Sequence, residues 1–428
     1  MRIVQLIPGT CEAFYCENCL RDFDLLEALG RIGHDARIVP LYLPLTADNS
    51  AFKDEAPIFF GGINVYLQQK SSFFRRTPRW LDRLFDARWL LQWASRKAGM
   101  TSPSDLGEST VSMLRGQHGC QAKELDRLIE YLSEEARPDV VVLSNALLVG
   151  LARPIRARLG VPVVCLLQDE DAFLDALPAP YGAEAWQAVA AGAAGVDLFI
   201  SVSRYYRGVM VARLGLKPER VAVAYAGIDP AGYLPAAAPP DPPVIGFLSP
   251  ALAGKGLGLL VEAFMALKKT EGLARLKLRV AGGETVGSHP FLEDLQGRIA
   301  AWGVADDLEF LPNLGRLKRQ EFLRSLSVLS VPTLRPEAFG LYVLEALASG
   351  VPVVEPRHGA LVELLEATGG GILVEPGDLG ALTAALQDLL LHPAKARDLG
   401  MRGRKAVLEQ FAIERSAREM ARLMEGAR

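Results

Sequence analysis

Residues 336–354 read Pro336-Glu-Ala-Phe-Gly-Leu-Tyr-Val-Leu-Glu-Ala-Leu-Ala-Ser-Gly-Val-Pro-Val-Val354. The stretch follows a strand-like run, Val328–Pro332, and passes through a short loop containing Gly340. It then becomes an apolar helix from about Leu341 to Ser349, which Gly350 and Pro352 end before the next strand, Val351–Glu355. A loop feeding a helix N-terminus offers backbone N–H groups and the positive end of a dipole, a setting that suits a diphosphate. Glu337 on the loop and Glu345 in the helix then stand near an anion site. Carboxylates repel phosphate, so their presence there needs a reason. Sugar and ribose hydroxyls supply one, because a carboxylate oxygen accepts their hydrogens. A pair of solvated helix glutamates is the alternative, and it fits poorly with Phe339-Gly340 between them and the apolar helix around Glu345.

Outward from this stretch, short runs of Val, Ile and Leu alternate with longer segments of helical spacing, a pattern that predicts parallel sheets. The first half offers strands at Ile3–Ile7, Asp35–Pro40, Val140–Ser144, Val161–Leu167, Leu198–Val202 and Val221–Tyr225. The second half offers Val244–Leu248, Leu276–Ala281, Leu308–Leu311, Val328–Pro332 and Val351–Glu355. Between the sets, Pro235-Ala-Ala-Ala-Pro-Pro-Asp-Pro-Pro243 can be neither helix interior nor central strand. The expected fold class is therefore α/β, with two Rossmann-like doubly wound domains facing a cleft: residues 1–236, a linker 237–243, residues 244–411, and a terminal helix in 412–428. Ligands bind beyond the carboxyl ends of such strands, which directs the search for a site to the loops there.

The 428 residues are too many for one ordinary core. Half of them are hydrophobic, 23% are charged, and the formal net charge is −3, as in a soluble globular protein with no composition demanding nucleic acid. Met1-Arg2 runs directly into a strand with no apolar leader, so a cytoplasmic location is expected. The apolar run Trp186–Val202 falls short of the roughly 20 residues that span a bilayer and reads as a buried helix followed by a strand. Five cysteines (Cys11, Cys16, Cys19, Cys120, Cys165) are too dispersed for a disulfide framework. Cys16 and Cys19 lack the second pair that zinc requires, and no metal site is expected. The segment Lys70–Lys97, within an insertion spanning residues 70–118, mixes Lys and Arg with Phe73, Phe74, Trp80, Phe85, Trp89 and Trp93. It reads either as a helical pair packed on its own domain or as a peripheral contact with an anionic membrane.

Glu337 and Glu345, separated by seven residues, resemble the E-x7-E motif of the retaining family 4 glycosyltransferases, which have the GT-B fold. Further segments match in order: Ala224-Tyr-Ala-Gly-Ile-Asp-Pro230, Gly246-Phe-Leu-Ser-Pro250 with Lys255-Gly256, Val280-Ala-Gly-Gly283, Leu308-Glu-Phe-Leu-Pro-Asn313 and Ile372-Leu-Val-Glu-Pro-Gly-Asp378. The resemblance implies transfer of a sugar from a nucleotide-sugar donor (UDP-, GDP- or ADP-linked) to a hydroxyl acceptor, with no further cofactor. It implies that Lys255 binds the donor diphosphate, that Glu337 contacts the donor sugar, and that Glu345 holds the ribose. Phe339, Gly340 and Leu341 would cap the phosphates, and Asn313 and Leu314 would border the base. Ser249 and Gly282, within the matching segments, join the donor-binding set, as does Gly9 in the loop after the first strand. That loop resembles a subgroup with a C-x2-C-L-R-D sequence, here Cys16 to Asp22. The terminal helix resembles the family's segment that packs back on the N-terminal domain.

Two departures stand out. The family usually has an arginine where this chain has Phe247, so another cation must substitute, and Arg335 and Arg316 are the candidates. A histidine common near the transferred sugar is replaced by Gln168, which cannot shuttle protons. Glu170 and Asp171 then become candidates for orienting the acceptor hydroxyl, with Asn145 and Arg204 similarly placed. His34 reads as structural. A non-catalytic sugar-nucleotide binder and a GT-B epimerase share this pattern. A nicotinamide dehydrogenase does not, since no G-x-G-x-x-G follows a first strand.

Overall fold

The computed structural model describes residues 1–8, 17–42, 59–60, 69, 103–283 and 289–428. Gly9, Cys11, Cys16 and the Lys70–Lys97 segment lie outside the described residues. The chain divides into two compact units: Met1–Glu12, Leu25–Ala224 and Ala417–Arg428 form the first, and Ala13–Asp24 with Tyr225–Ser416 the second.

The first unit carries a six-stranded parallel sheet of β1 (Arg2–Ile7), β2 (Asp35–Pro40), β3 (Val140–Leu143), β4 (Val163–Leu167), β5 (Leu198–Ser201) and β6 (Val221–Val223), in the order β2-β1-β3-β4-β5-β6. Val140–Leu143 and Val163–Leu167 are buried at every position. That is why they read as continuous apolar runs rather than alternating ones: helices cover both faces of a parallel sheet. Trp186–Val202 resolves into the end of a helix, Tyr181–Gly192, and strand β5.

The second unit repeats the plan with β7 (Val244–Leu248), β8 (Lys277–Gly282), β9 (Leu308–Pro312), β10 (Val328–Leu329), β11 (Val353–Pro356) and β12 (Gly371–Val374), in the order β12-β11-β10-β7-β8-β9. Strand β12 is absent from the sequence-based expectation, because its short apolar run opens on glycines. β10 is shorter than the expected Val328–Pro332 for a specific reason. The N–H of Val331 goes to the side chain of Glu355 rather than to a neighbouring strand, and Pro332 has no N–H to give. β11 starts at Val353, just after Pro352. Residues 235–243 form neither helix nor strand.

Phe247, where an arginine was looked for, is fully buried in β7 and pairs with Val280 of β8. It is a core residue of the sheet, and the chain has no cation there. Among the described residues, no helix is long and apolar enough to cross a membrane, and no group of three or more His, Cys, Asp or Glu is arranged to hold a metal.

Candidate functional site

In the second sheet the chain proceeds from β7 to β8 and β9 on one side, then returns to lay β10, β11 and β12 on the other. The loops leaving β7 and β10 therefore diverge from adjacent strands, the position where open α/β sheets form a crevice. The β7 loop ends in a 3-10 turn, Ala253–Lys255, followed by Gly256 with φ 79°. A side chain at Gly256 would collide with the carbonyl oxygen of Pro332, since its Cβ would lie 1.9 Å away. Only glycine allows both the left-handed backbone and this approach. The consequence is that Lys255 is delivered to the β10 loop, where its Nζ lies 2.6 Å from Glu337 Oε1. The two side chains are 26% and 10% exposed, so the pair is accessible from one side and shielded elsewhere.

The backbone around Glu337 is braced by the segment after β11. Ala360 N donates to the Glu337 carbonyl at 3.0 Å, and a Cβ at Gly359 would lie only 2.6 Å from Glu337 N. His358 Nε2 lies 2.9 Å from the Thr333 carbonyl, while its Nδ1 is buried without a hydrogen-bond partner among the described residues.

The helix Leu341–Ala348 starts at Gly340, whose φ is 99°, and all eight of its residues are buried. Inside it Glu345 is turned to protein partners. Its Oε1 accepts from Arg319 Nε at 2.8 Å and from the Tyr233 hydroxyl. Arg319 and Glu345 side chains are 4% and 2% exposed. Burial, and then the neighbouring carboxylate, push the Tyr233 phenol up from its usual value. Glu345, expected to hold a ribose, is here the centre of a buried charge cluster that ties the helix to Arg319 and Tyr233. Sequence reasoning missed both partners.

Glu355 was also missed. It is fully buried at the end of β11, with Oε1 accepting from Val331 N at 3.1 Å and Oε2 from the Tyr342 hydroxyl at 3.3 Å. Burial raises its pKa well above the usual carboxylate range, and the charge of Glu337 adds to the shift. A folded-state pKa raised in this way contributes stability that is complete below the unfolded value and is lost as pH rises through the folded one. Glutamine does not titrate. The melting temperature of Glu355→Gln relative to wild type is therefore expected to rise as pH climbs above the ordinary carboxylate range, by about 2–4 °C for each kcal/mol in a unit of this size. Thermal unfolding at a series of pH values checks this, and a constant difference would contradict it.

Of the remaining donor-side candidates, Ser249 is buried with its N–H on the Ala281 carbonyl. Gly282 closes β8, and its carbonyl accepts from Asn313 N at 2.9 Å. Asn313 is exposed in the left-handed region (φ 55°), and Leu314 is half-buried. Phe339 and Leu341 are buried, Phe339 lying 6.4 Å from the Tyr225 ring between centroids. The two arginines proposed as replacements differ. Arg316 Nη2 is engaged with Asp24 at 2.6 Å, whereas Arg335 is exposed on the β10 loop.

In the first unit Glu170, after β4, is held by protein donors. Glu170 Oε1 accepts from Ala146 N at 2.7 Å, and its Oε2 accepts from Gln168 N and the Tyr206 hydroxyl, both at 2.8 Å. It is 3% exposed, and burial raises its pKa. With three donors on two oxygens, Glu170, the candidate for orienting the acceptor hydroxyl, is a cross-link between the ends of β3 and β4 and the helix Arg204–Leu214. Gln168 is likewise buried. Asp171 keeps a buried Oδ1 with no hydrogen-bond partner among the described residues. Asn145 caps the turn Ala146–Leu151 by accepting from Leu147 N, and Arg204 is exposed at its helix start. His34 meets the N-terminal amine at 3.2 Å, a structural contact.

Residues 235–406 match the family described as "Glycosyl transferases group 1", and residues 111–231 match "Glycosyltransferase Family 4". Among curated proteins, the chain is 30% identical over 194 residues to the GDP-mannose-dependent alpha-(1-6)-phosphatidylinositol monomannoside mannosyltransferase of Mycolicibacterium smegmatis, covering 44% of this chain and 49% of that one. It is 30% identical over 229 residues to the MMP alpha-(1->4)-mannosyltransferase of Mycolicibacterium hassiacum, covering 53% and 54%. The chain thus spans about half the length of these relatives. Among solved structures, sucrose-phosphate synthase from Thermosynechococcus elongatus superposes with a TM-score of 0.72 at 17% identity, covering 100% of this chain and 99% of that one. Anabaena HepE in complex with UDP gives 0.69 at 15% identity, covering 100% of both. At these identities the likeness is one of fold: two units, each with a parallel α/β sheet, of the GT-B fold class.

Proposed function

Starting from a chain that belongs to glycosyltransferase family 4, with the GT-B fold, we propose that it transfers a hexosyl group from a nucleoside-diphosphate sugar to a hydroxyl acceptor with retention of anomeric configuration. The observation that carries the reading is the Lys255–Glu337 pair, 2.6 Å apart and partly open, at the point where β7 and β10 diverge. In this reading the donor diphosphate lies at the start of the helix Leu341–Ala348. The dipole of that helix and the Lys255 ammonium supply positive charge, so no metal is required. Lys255 follows negative charge onto the leaving phosphate as the glycosidic bond breaks, an interaction that strengthens in the transition state. Glu337 accepts from hydroxyls of the transferred sugar. Glu345 acts from behind, fixing the helix through Arg319 and Tyr233.

The relatives' names point to GDP-mannose as one donor to test, and the fold neighbour's ligand points to a UDP sugar as another. Titration with UDP, GDP and ADP followed by thermal unfolding is expected to single out one base, since a ligand at 100 times its Kd adds about 2.7 kcal/mol of stability. Incubation with the matching nucleotide-sugars is then expected to release nucleoside diphosphate and glycosylate an acceptor. Epimerised donor, or binding without release, would replace this reading with an epimerase or a non-catalytic binder.

A further inference from the structure

The loop that carries Glu337 runs from Val331, just past β10, to the first turn of the helix Leu341–Ala348. One buried side chain touches both of its ends. Glu355 Oε1 accepts from Val331 N at 3.1 Å, and Oε2 accepts from the Tyr342 hydroxyl at 3.3 Å. Glu355 has no exposure, so its hydrogen bonds are not exchanged for water. The residues that follow brace the same loop: His358 Nε2 meets the Thr333 carbonyl at 2.9 Å, and Ala360 N meets the Glu337 carbonyl at 3.0 Å. The loop is thus held at both ends by a single carboxyl group and along its length by residues 358–360.

A buried acid is an expensive way to end a strand, because an apolar residue would fill the space without desolvation. What the carboxyl provides and an apolar residue does not is a fixed distance between Val331 and Tyr342. That distance sets where the intervening loop presents Glu337 to Lys255. We infer that Glu355 is a positioning residue for the transfer reaction: by clamping the two ends of the 331–342 loop it holds Glu337 where the transferred sugar must meet it. The inference rests on the donor reading given above. It assigns no contact between Glu355 and the substrate.

The test uses the full chain and three variants, with GDP-mannose and UDP-glucose as donors and the corresponding nucleoside diphosphates as binding probes. Glu355→Leu removes both hydrogen bonds, and Tyr342→Phe removes one while leaving the packing almost unchanged. Glu355→Gln keeps both, with its amide oxygen accepting from Val331 and its NH2 donating to Tyr342. Misplacing a group at the chemistry by about 1 Å lowers rates by about 10²-fold, so Glu355→Leu is expected to lower kcat per folded molecule by about 10–100-fold. Tyr342→Phe should fall between Glu355→Leu and wild type, and Glu355→Gln should stay within about threefold of wild type. Nucleoside diphosphate affinity, which draws on Lys255 and the start of the helix rather than on a sugar contact of Glu337, should change by a smaller factor than kcat in each of the three variants. A purely structural role would lower melting temperature while leaving kcat of the folded fraction unchanged, and that result overturns the inference. So does a loss confined to nucleoside diphosphate affinity, or a Glu355→Gln as impaired as Glu355→Leu. If the Leu variant fails to fold, the comparison of Tyr342→Phe with Glu355→Gln decides the matter by the same criteria. If wild type binds none of UDP, GDP and ADP, the donor reading falls and this inference with it. Binding by wild type together with unaltered turnover in the variants overturns the positioning role alone.

Discussion

Replacing Lys255 by alanine is expected to lower kcat by about 10²–10³, the scale for losing one preorganised charge that stabilises a transition state. The expectation follows from what the lysine does in the proposed reaction. Its ammonium meets a diphosphate already negative in the ground state, and it meets more negative charge as the leaving group departs. The loss should therefore appear mainly in kcat and less in donor KM. The geometry adds a second effect. Lys255 is within 2.6 Å of Glu337, whose side chain is only 10% exposed. Without the ammonium, that carboxylate keeps its repulsion toward the donor phosphate and loses a compensating partner. A double variant with Glu337→Gln should therefore be less impaired than the sum of the two single losses, because part of the Lys255→Ala defect is the uncompensated acid. Steady-state rates of nucleoside diphosphate release for the four proteins of the cycle give the answer. A Lys255→Ala protein with an unaltered kcat would remove Lys255 from the reaction.

The second large effect is on stability. Arg319→Ala is expected to destabilise the second unit by about 3–5 kcal/mol, because it leaves the Glu345 charge buried and without its cation. The two side chains are 4% and 2% exposed, so water cannot take over the role of the missing partner. Arg319→Met combined with Glu345→Gln should recover most of the loss. The methionine fills the space of the arginine stem, and the glutamine oxygen can still accept from Tyr233. Urea unfolding of the three proteins measures the difference. If Arg319→Ala costs no more than a surface substitution, the pair does not hold the helix as described.

The architecture was largely legible in the chain. Val140–Leu143, Val163–Leu167 and Val244–Leu248 are continuous apolar runs because both faces of their sheets are covered, and such runs at regular intervals between helical segments specify parallel strands. Lys255 and Glu337, which the fold brings within 2.6 Å of each other, also stand out in the sequence, since each sits in a short segment whose glycine or proline fixes its backbone. The remaining parts of the site were hidden because their partners are distant in sequence. Glu170 accepts from residues 24 and 36 positions away, and nothing near it indicates that its oxygens are already used. Arg319 lies in the helix Arg316–Arg324, whose many charges suggest a solvated face. The signal was present in spacing alone: Arg319, Phe322 and Leu323 are three and four positions apart, share one side, and are all buried. Glu355 looked like a polar residue ending its own strand, and only the pairing of β10 with β11 shows that it ends β10 instead, by taking the N–H of Val331.

A helix such as Leu341–Ala348, enclosed on every side, has no water-facing position at which replacements pass without consequence. Each of its eight side chains touches protein, so a change of size or polarity anywhere along it moves the element as a whole. Room for variation lies in the surrounding loops, such as those after β7 and β9, where Leu252 and Asn313 meet solvent. The helix works as a fixed bearing for the loops at its ends.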